Sequence, residues 1–234
     1  MRPELLGTLL VGGLAAVEAT PVAQTLASQP LVTATVLGLL YGDWPTAVAV
    51  GVVLQILAAS TLPVGARVPE DYAVGGVVGV SVALTLAAQA PFEHVRQAAS
   101  LIGVLAGLAT AIVGDPIVRR QRRWNEGLAR WCESEIRAGR EGALGRANLA
   151  AISLAFGLGL ALTGVGLAAA HLGSAWVGRE SLRLAQAWTL LQPIWLGFGF
   201  AQLLHAFVQR RLERAGVFAI ALVGAWLVIV AGAP

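Results

Sequence analysis

The stretch TLPVGARVPEDYAVGG, residues 61–76, separates two long apolar runs and decides how the chain is to be read. It holds Pro63, Pro69, Gly65, Gly75 and Gly76, together with a close cluster of charge in Arg67, Glu70 and Asp71. The two prolines deny backbone donors and break any helix, while Gly65 permits unusual dihedrals or the close approach of a ligand. A surface loop between membrane helices has this composition. So does a non-helical segment held at membrane depth, with its backbone facing a substrate. Composition leaves the two open.

The rest of the chain places that stretch in a membrane. Of 234 residues 57% are hydrophobic and only 12% charged, with a mean hydropathy of +0.74. Soluble domains carry about 25% charged residues, so there is too little polar surface here to cover a water-soluble globule. All 16 basic residues are arginine, and they lie in short stretches between apolar runs. That placement, despite a net charge of +3, points to loops at a membrane surface and not to nucleic acid. The single cysteine, Cys132, can form no internal disulfide, and His94, His171 and His205 show no metal-ligand spacing. No cofactor or metal is expected, and no catalytic cluster is visible.

Apolar runs cover residues 5–17, 31–41, 46–62, 72–91, 98–118, 149–172, 184–208 and 215–231. A full span needs about 20 residues. The runs at 5–17 and 31–41 are too short alone and read as re-entrant, broken or tilted elements. Arg2 before the first run resembles a short signal peptide, but the run is taken as part of the mature protein. Frequent glycines, such as Gly75, Gly76, Gly79, Gly103 and Gly107, suit close helix packing. The expected fold is all-α: a polytopic membrane helix bundle with short or re-entrant segments in its N-terminal half and a cytoplasmic amphipathic arm. The expected divisions are a membrane block at 1–118, the arm at 119–147 and a second block at 148–234.

The arm is the sequence RRQRRWNEGLARWCESEIRAGREGALGR, residues 119–146, with eight arginines and four glutamates. Trp124, Leu128, Trp131 and Ile136 recur at helical spacing, so it reads as an amphipathic helix near the membrane surface. The positive-inside rule makes it cytoplasmic, and Arg210, Arg211 and Arg214 fall on the same side. A turn at Arg179 to Arg183 is then extracytoplasmic, and the C-terminus lies outside.

Polar side chains at membrane depth cost a few kcal/mol and line cavities or find partners. Asp43, in GDWP, suits a turn and helix N-cap. Glu18 fits either the headgroup level or a cavity wall. Gln55 lies mid-segment among apolar neighbours, so its amide faces the protein interior or a polar cavity.

These residues in this order resemble the IIC membrane subunit of the mannose/fructose/sorbose family of the bacterial phosphoenolpyruvate-dependent sugar phosphotransferase system. That family shows an acidic residue near the end of its first segment, an RPL step, a GLxxGD turn and a GxxLExxxLGxxxxGAxxPPD run. Glu18, Pro30–Leu31, Gly38 to Asp43, Gly51 to Gln55 and Gly65 to Asp71 stand at those places. The family's usual glutamate is Gln55 here, the residue before Pro-Leu is Gln29, and Arg67 stands where a small residue is common. The resemblance implies a sugar permease subunit in the bacterial cytoplasmic (inner) membrane, multi-pass and not itself an enzyme. It would bind and translocate a hexose or amino sugar for phosphorylation by IIB. It implies a hetero-oligomer with a IID membrane subunit, and soluble IIA/IIB phosphocarrier proteins that hold the phosphorylated histidines. It also implies a sugar site with Glu18, Gln55, Gly65, Arg67 and Asp71 as substrate-binding residues, and residues 61–76 as the sugar-facing loop. The alternative within the family, motivated by Gln55 and Arg67, is a non-transporting regulatory or scaffold member.

Overall fold

The computed structural model describes residues 3–19, 21–22, 24–59, 70–208, 210, 212–213, 215–220 and 223. Gly65, Arg67 and most of the stretch at 61–76 therefore lie outside the described residues, as does most of the last apolar run. The described elements are helices α1 (Pro3–Ala19), α2 (Pro30–Tyr41), α3 (Trp44–Ala59), α4 (Tyr72–Ala87), α5 (Glu93–Arg137) and α6 (Ala143–Phe207). No strand occurs among them, in agreement with the expected all-α class.

Helix boundaries follow from local chemistry. Pro3 and Pro30 begin α1 and α2, where a missing N–H costs nothing. Gly42, at φ +71, closes α2 in the left-handed conformation. Asp43 then accepts from Thr46 N at 3.3 Å, so it is an N-cap of α3, as its sequence setting suggests. Its other oxygen lies 3.9 Å from Arg96 Nε of α5. With 12 residues, α2 is about 18 Å long, well short of the roughly 30 Å hydrocarbon layer. With α3 it forms a tight helical hairpin, Ala34 lying against Gly51 and Gly38 against Ala47. This matches the shortness expected from residues 31–41.

α4 is the axis of the bundle, with every residue from Val74 to Leu84 buried. It lies antiparallel to α5 through paired glycines. A Cβ at Gly79 would stand 2.7 Å from Gly103 O, and one at Gly107 would stand 2.9 Å from Gly75 O. The approach is backbone to backbone, which supplies the close packing that membrane helices depend on when lipid is as apolar as the core. Pro30 packs on Gly76, and Gly12 and Gly13 of α1 meet Thr163 and Phe156 of α6.

The turn read at Arg179 to Arg183 needs correction, and the arm is continuous with the helix before it. The span at 98–118 and the arm are one continuous helix, α5, whose second half pairs with the start of α6 across the turn at Gly139 (φ +73) and Gly142 (φ +82). Cys132, Ala143 and Ala147 form the small core of that helical hairpin. Also, no break occurs at Arg179 to Arg183, because α6 stays helical from Ala143 to Phe207. It nevertheless doubles back. Gly166 lies against Val78 and Gly199 against Ile56, while Leu54 lies against Gly79. In a straight helix these two glycines would stand about 50 Å apart; the chain of contacts holds them within roughly 30 Å. Between them Ser174 Oγ donates to His171 O at 2.8 Å and Ser181 Oγ donates to Gly178 O at 3.0 Å. Such back-bonding bends helices. Val177, in this interval, packs with Leu86, Ala87 and Ala98, at the end of the bundle away from the arm.

Candidate functional site

The arm end of the bundle is fixed by α4 and α5: Asp71 N donates to Ala111 O at 3.1 Å, and a Cβ at Gly114 would meet Asp71 Cβ. The end of α1, the start of α2 and the end of α3 come to this same end. Here the backbone is irregular. Pro21 stops α1, and in the segment that follows Gln24 (φ 50) and Leu26 (φ 69) both take left-handed conformations. For residues with a Cβ this costs about 1–2 kcal/mol each, so the surroundings must hold the segment in place.

Glu18 holds it. Its Oε1 accepts from Thr25 Oγ1 at 3.1 Å and from Ala27 N at 3.3 Å, and its Oε2 accepts from Ser28 N at 3.0 Å. An ionised carboxylate is acceptor-only with several lone-pair sites, and this one gathers three donors from a four-residue stretch. Ser28 is buried, although Thr25 and Ala27 are exposed.

Gln55 holds the next residues. Its Oε1 accepts from Leu31 N at 3.2 Å, and its Nε2 donates to Gln29 Oε1 at 2.8 Å. The first free amides of α2 are thereby accounted for, since Val32 N and Thr33 N both donate to Gln29 O. The N-terminus of α2, the positive end of its dipole, is thus brought inside the bundle, beside Gln55 and one and a half helical turns along α4 from Asp71. Gln55 is half-buried, and both ends of its amide bond within the protein. With its carbonyl oxygen engaged by Gln55, Gln29 is left with its NH2 group to offer.

Glu18 and Gln55 therefore meet on one segment, residues 25–31, without touching each other. Asp71 stands apart from them. Its Oδ1 accepts from Val74 N at 3.2 Å, capping α4. It lines a cavity of about 30 Å³ with Ala16, Ala19, Val118, Gln121 and Leu158, about enough room for one water. Gln29, Thr25, Ser28 and Gln121 are further polar residues at this end. Thr25 and Ser28 look like ordinary turn residues in sequence, and Gln121 is hidden among arginines. Only Gln29, set before Pro-Leu, carries a signal that singles it out. Among the described residues no group of three metal-ligating side chains occurs.

The arrangement offers an acceptor-only carboxylate and the Gln29 amide at a break in the backbone, beside an α2 N-terminus whose first amides are already engaged. Groups of this kind suit a polyhydroxylated, uncharged ligand, in which each hydroxyl both donates and accepts.

A family described as "PTS system sorbose-specific iic component" matches residues 5–189, which include Glu18, Gln29, Gln55 and Asp71. Among curated proteins no sequence matches. A solved structure titled "Structure of membrane protein" is similar in fold, with a TM-score of 0.65 at 13% identity, covering 97% of this chain and 96% of that one. α5 and α6 are long and apolar enough to cross a membrane. The chain therefore belongs to the sorbose-type IIC family, the membrane-embedded sugar-transport subunits of the phosphotransferase system.

Proposed function

We propose that this subunit binds a hexose or amino sugar at the arm end of its bundle and presents it there for phosphorylation by IIB. In this reading it spans the bacterial cytoplasmic membrane several times and works beside a IID subunit, with IIA and IIB carrying the phosphoryl group. One observation carries the reading: Glu18, Gln29 and Gln55 converge on the broken segment at 25–31, at the end of the bundle from which the arginine-rich arm emerges. By the positive-inside rule that end faces the cytoplasm, where a soluble phosphocarrier works. The sugar's hydroxyls take the place of the loop donors on Glu18 and bond the free NH2 of Gln29. Gln55 sets the position of Gln29 and of the α2 N-terminus. Gly65, Arg67 and Asp71 are the further substrate-binding residues of this reading, Gly65 and Arg67 lying outside the described residues.

The test is uptake with phosphorylation in membranes that contain this protein, its IID partner and a matching IIA/IIB pair. Accumulation of sugar phosphate, reduced in Glu18→Gln and Gln55→Ala but not in Gln89→Ala, is the expected outcome. A second reading, a non-transporting family member, is favoured by the full set of loop donors already on Glu18. Sugar binding without any uptake in the complete system would select it.

A further inference from the structure

The arm hairpin leaves one face of α5 unpartnered. Gln121, Asn125, Leu128 and Cys132 turn towards the start of α6 or are partly covered, whereas Arg120, Arg123, Trp124, Arg130 and Trp131 are exposed. At 100° per residue those five side chains fall within an arc of about 120°. Gly127 lies at the middle of the arc, with nothing within 4 Å of where a Cβ would stand, so the face has a shallow gap between the two tryptophans. Trp124 is 49% exposed and Trp131 38%. Arg120 lies over Trp124 at 5.8 Å, and Arg146 of α6 lies over Trp131 at 5.4 Å.

The charges on the arm divide into two groups. Glu135 pairs with Arg140 and Arg146, Glu133 with Arg137, and Asp115 with Arg119. Among the described residues Arg120, Arg122, Arg123 and Arg130 form no ion pair, although Glu126 lies on the flank of the same face. Free guanidinium groups beside exposed indoles match a phosphodiester headgroup at the boundary of a bilayer. Arginine binds phosphate through paired N–H groups, and tryptophan settles at the level of lipid headgroups. Pro116 stands where the arm leaves the bundle, and an interior proline kinks a helix, which lets the arm lean towards the bilayer surface.

We propose that the Arg120–Arg123–Trp124–Arg130–Trp131 face of α5 is a binding site for anionic phospholipid headgroups, with Arg123 and Arg130 on the phosphate and the two tryptophans seated beside it. The reading does not depend on which sugar the subunit carries. It predicts that the arm prefers anionic to zwitterionic lipid and is not merely adsorbed at any interface.

The test reconstitutes the full-length protein in vesicles of phosphatidylcholine with a fixed fraction of brominated lipid, either phosphatidylglycerol or phosphatidylcholine, and reads tryptophan quenching. The contribution of Trp124 and Trp131 is taken as the difference from a W124F/W131F variant. Stronger quenching by brominated phosphatidylglycerol is expected. Because each surface arginine contributes about a fivefold preference for anionic lipid, R123Q/R130Q should lower that preference about 25-fold. Both residues are exposed, so the fold should survive, and Arg137→Gln, whose guanidinium is paired with Glu133, should change the preference far less. Equal quenching by the two lipids would overturn the proposal, as would a preference untouched by R123Q/R130Q. Absence of quenching at Trp124 and Trp131 would also overturn it, and would direct attention to a soluble acidic partner instead.

Discussion

Gln55 Nε2 donates to Gln29 Oε1 at 2.8 Å, while the same side chain's oxygen accepts from Leu31 N at 3.2 Å. One amide thus fixes both the first turn of α2 and the direction in which Gln29 points. Removing it in Gln55→Ala leaves Leu31 N and the Gln29 carbonyl without these partners. These bonds are exposed or only part-buried, so the expected loss of stability is about 0.5–1.5 kcal/mol, read by thermal unfolding. Gln55→Glu keeps the acceptor for Leu31 N but offers no donor, so Gln29 must turn its NH2 inward. That variant should stay near wild-type stability yet bind sugar differently.

The loop between α1 and α2 gives a second expectation. Leu26 is 67% exposed and holds φ at 69°. Glycine there loses little packing and relieves a left-handed conformation, so Leu26→Gly should leave stability unchanged or raise it by up to about 1 kcal/mol. A clear fall in melting temperature would show that Leu26 packs against something beyond the described residues.

The contact between α4 and α5 predicts a contrast between glycines. Gly79→Ala would place a methyl group 2.7 Å from Gly103 O, and the backbone there cannot yield as a side-chain tip can. It should destabilise by about 1–3 kcal/mol. Gly145→Ala and Gly157→Ala, where nothing lies within 4 Å, should be neutral or stabilising. Denaturation of the three variants in one detergent compares them directly.

The doubling back of α6 is open to a distance measurement. Val165 and Phe198 are 68% and 56% exposed and suit spin labels in a Cys132→Ser background. A straight helix would separate their backbones by about 50 Å. The contacts of Gly166 and Gly199 require a much shorter separation, and a distance near the straight-helix value would refute the bend.

Much of this architecture is legible in sequence. Short apolar runs at 5–17 and 31–41 indicate elements too short to span, and the ordered pattern from Glu18 to Asp71 locates the polar end of the bundle. That the Gln55 amide finds partners within the protein follows from its apolar neighbours. Other features depend on tertiary contact and have no local signature. Gln29 and Gln55 are far apart in sequence, and nothing in either flank shows that they bond. Arg179, Glu180 and Arg183 read as a non-helical turn because charge usually marks a loop. The chain there bends while keeping its backbone hydrogen bonds, so only packing reveals the reversal. The arm's arginines suggest a surface helix, but not that it continues α5 without interruption.

The central claim is that Glu18, held now by Thr25, Ala27 and Ser28, is the carboxylate that receives the sugar. Calorimetry on the purified complex with its IID partner, across a panel of hexoses and amino sugars, tests it most directly. Saturable binding of at least one sugar is expected, weakened on the order of tenfold or more by Glu18→Gln, as for loss of a charged hydrogen-bonding group, and unaltered by Gln89→Ala. A sugar that binds Glu18→Gln as tightly as the wild type, or a complex that binds none of the panel, would contradict it.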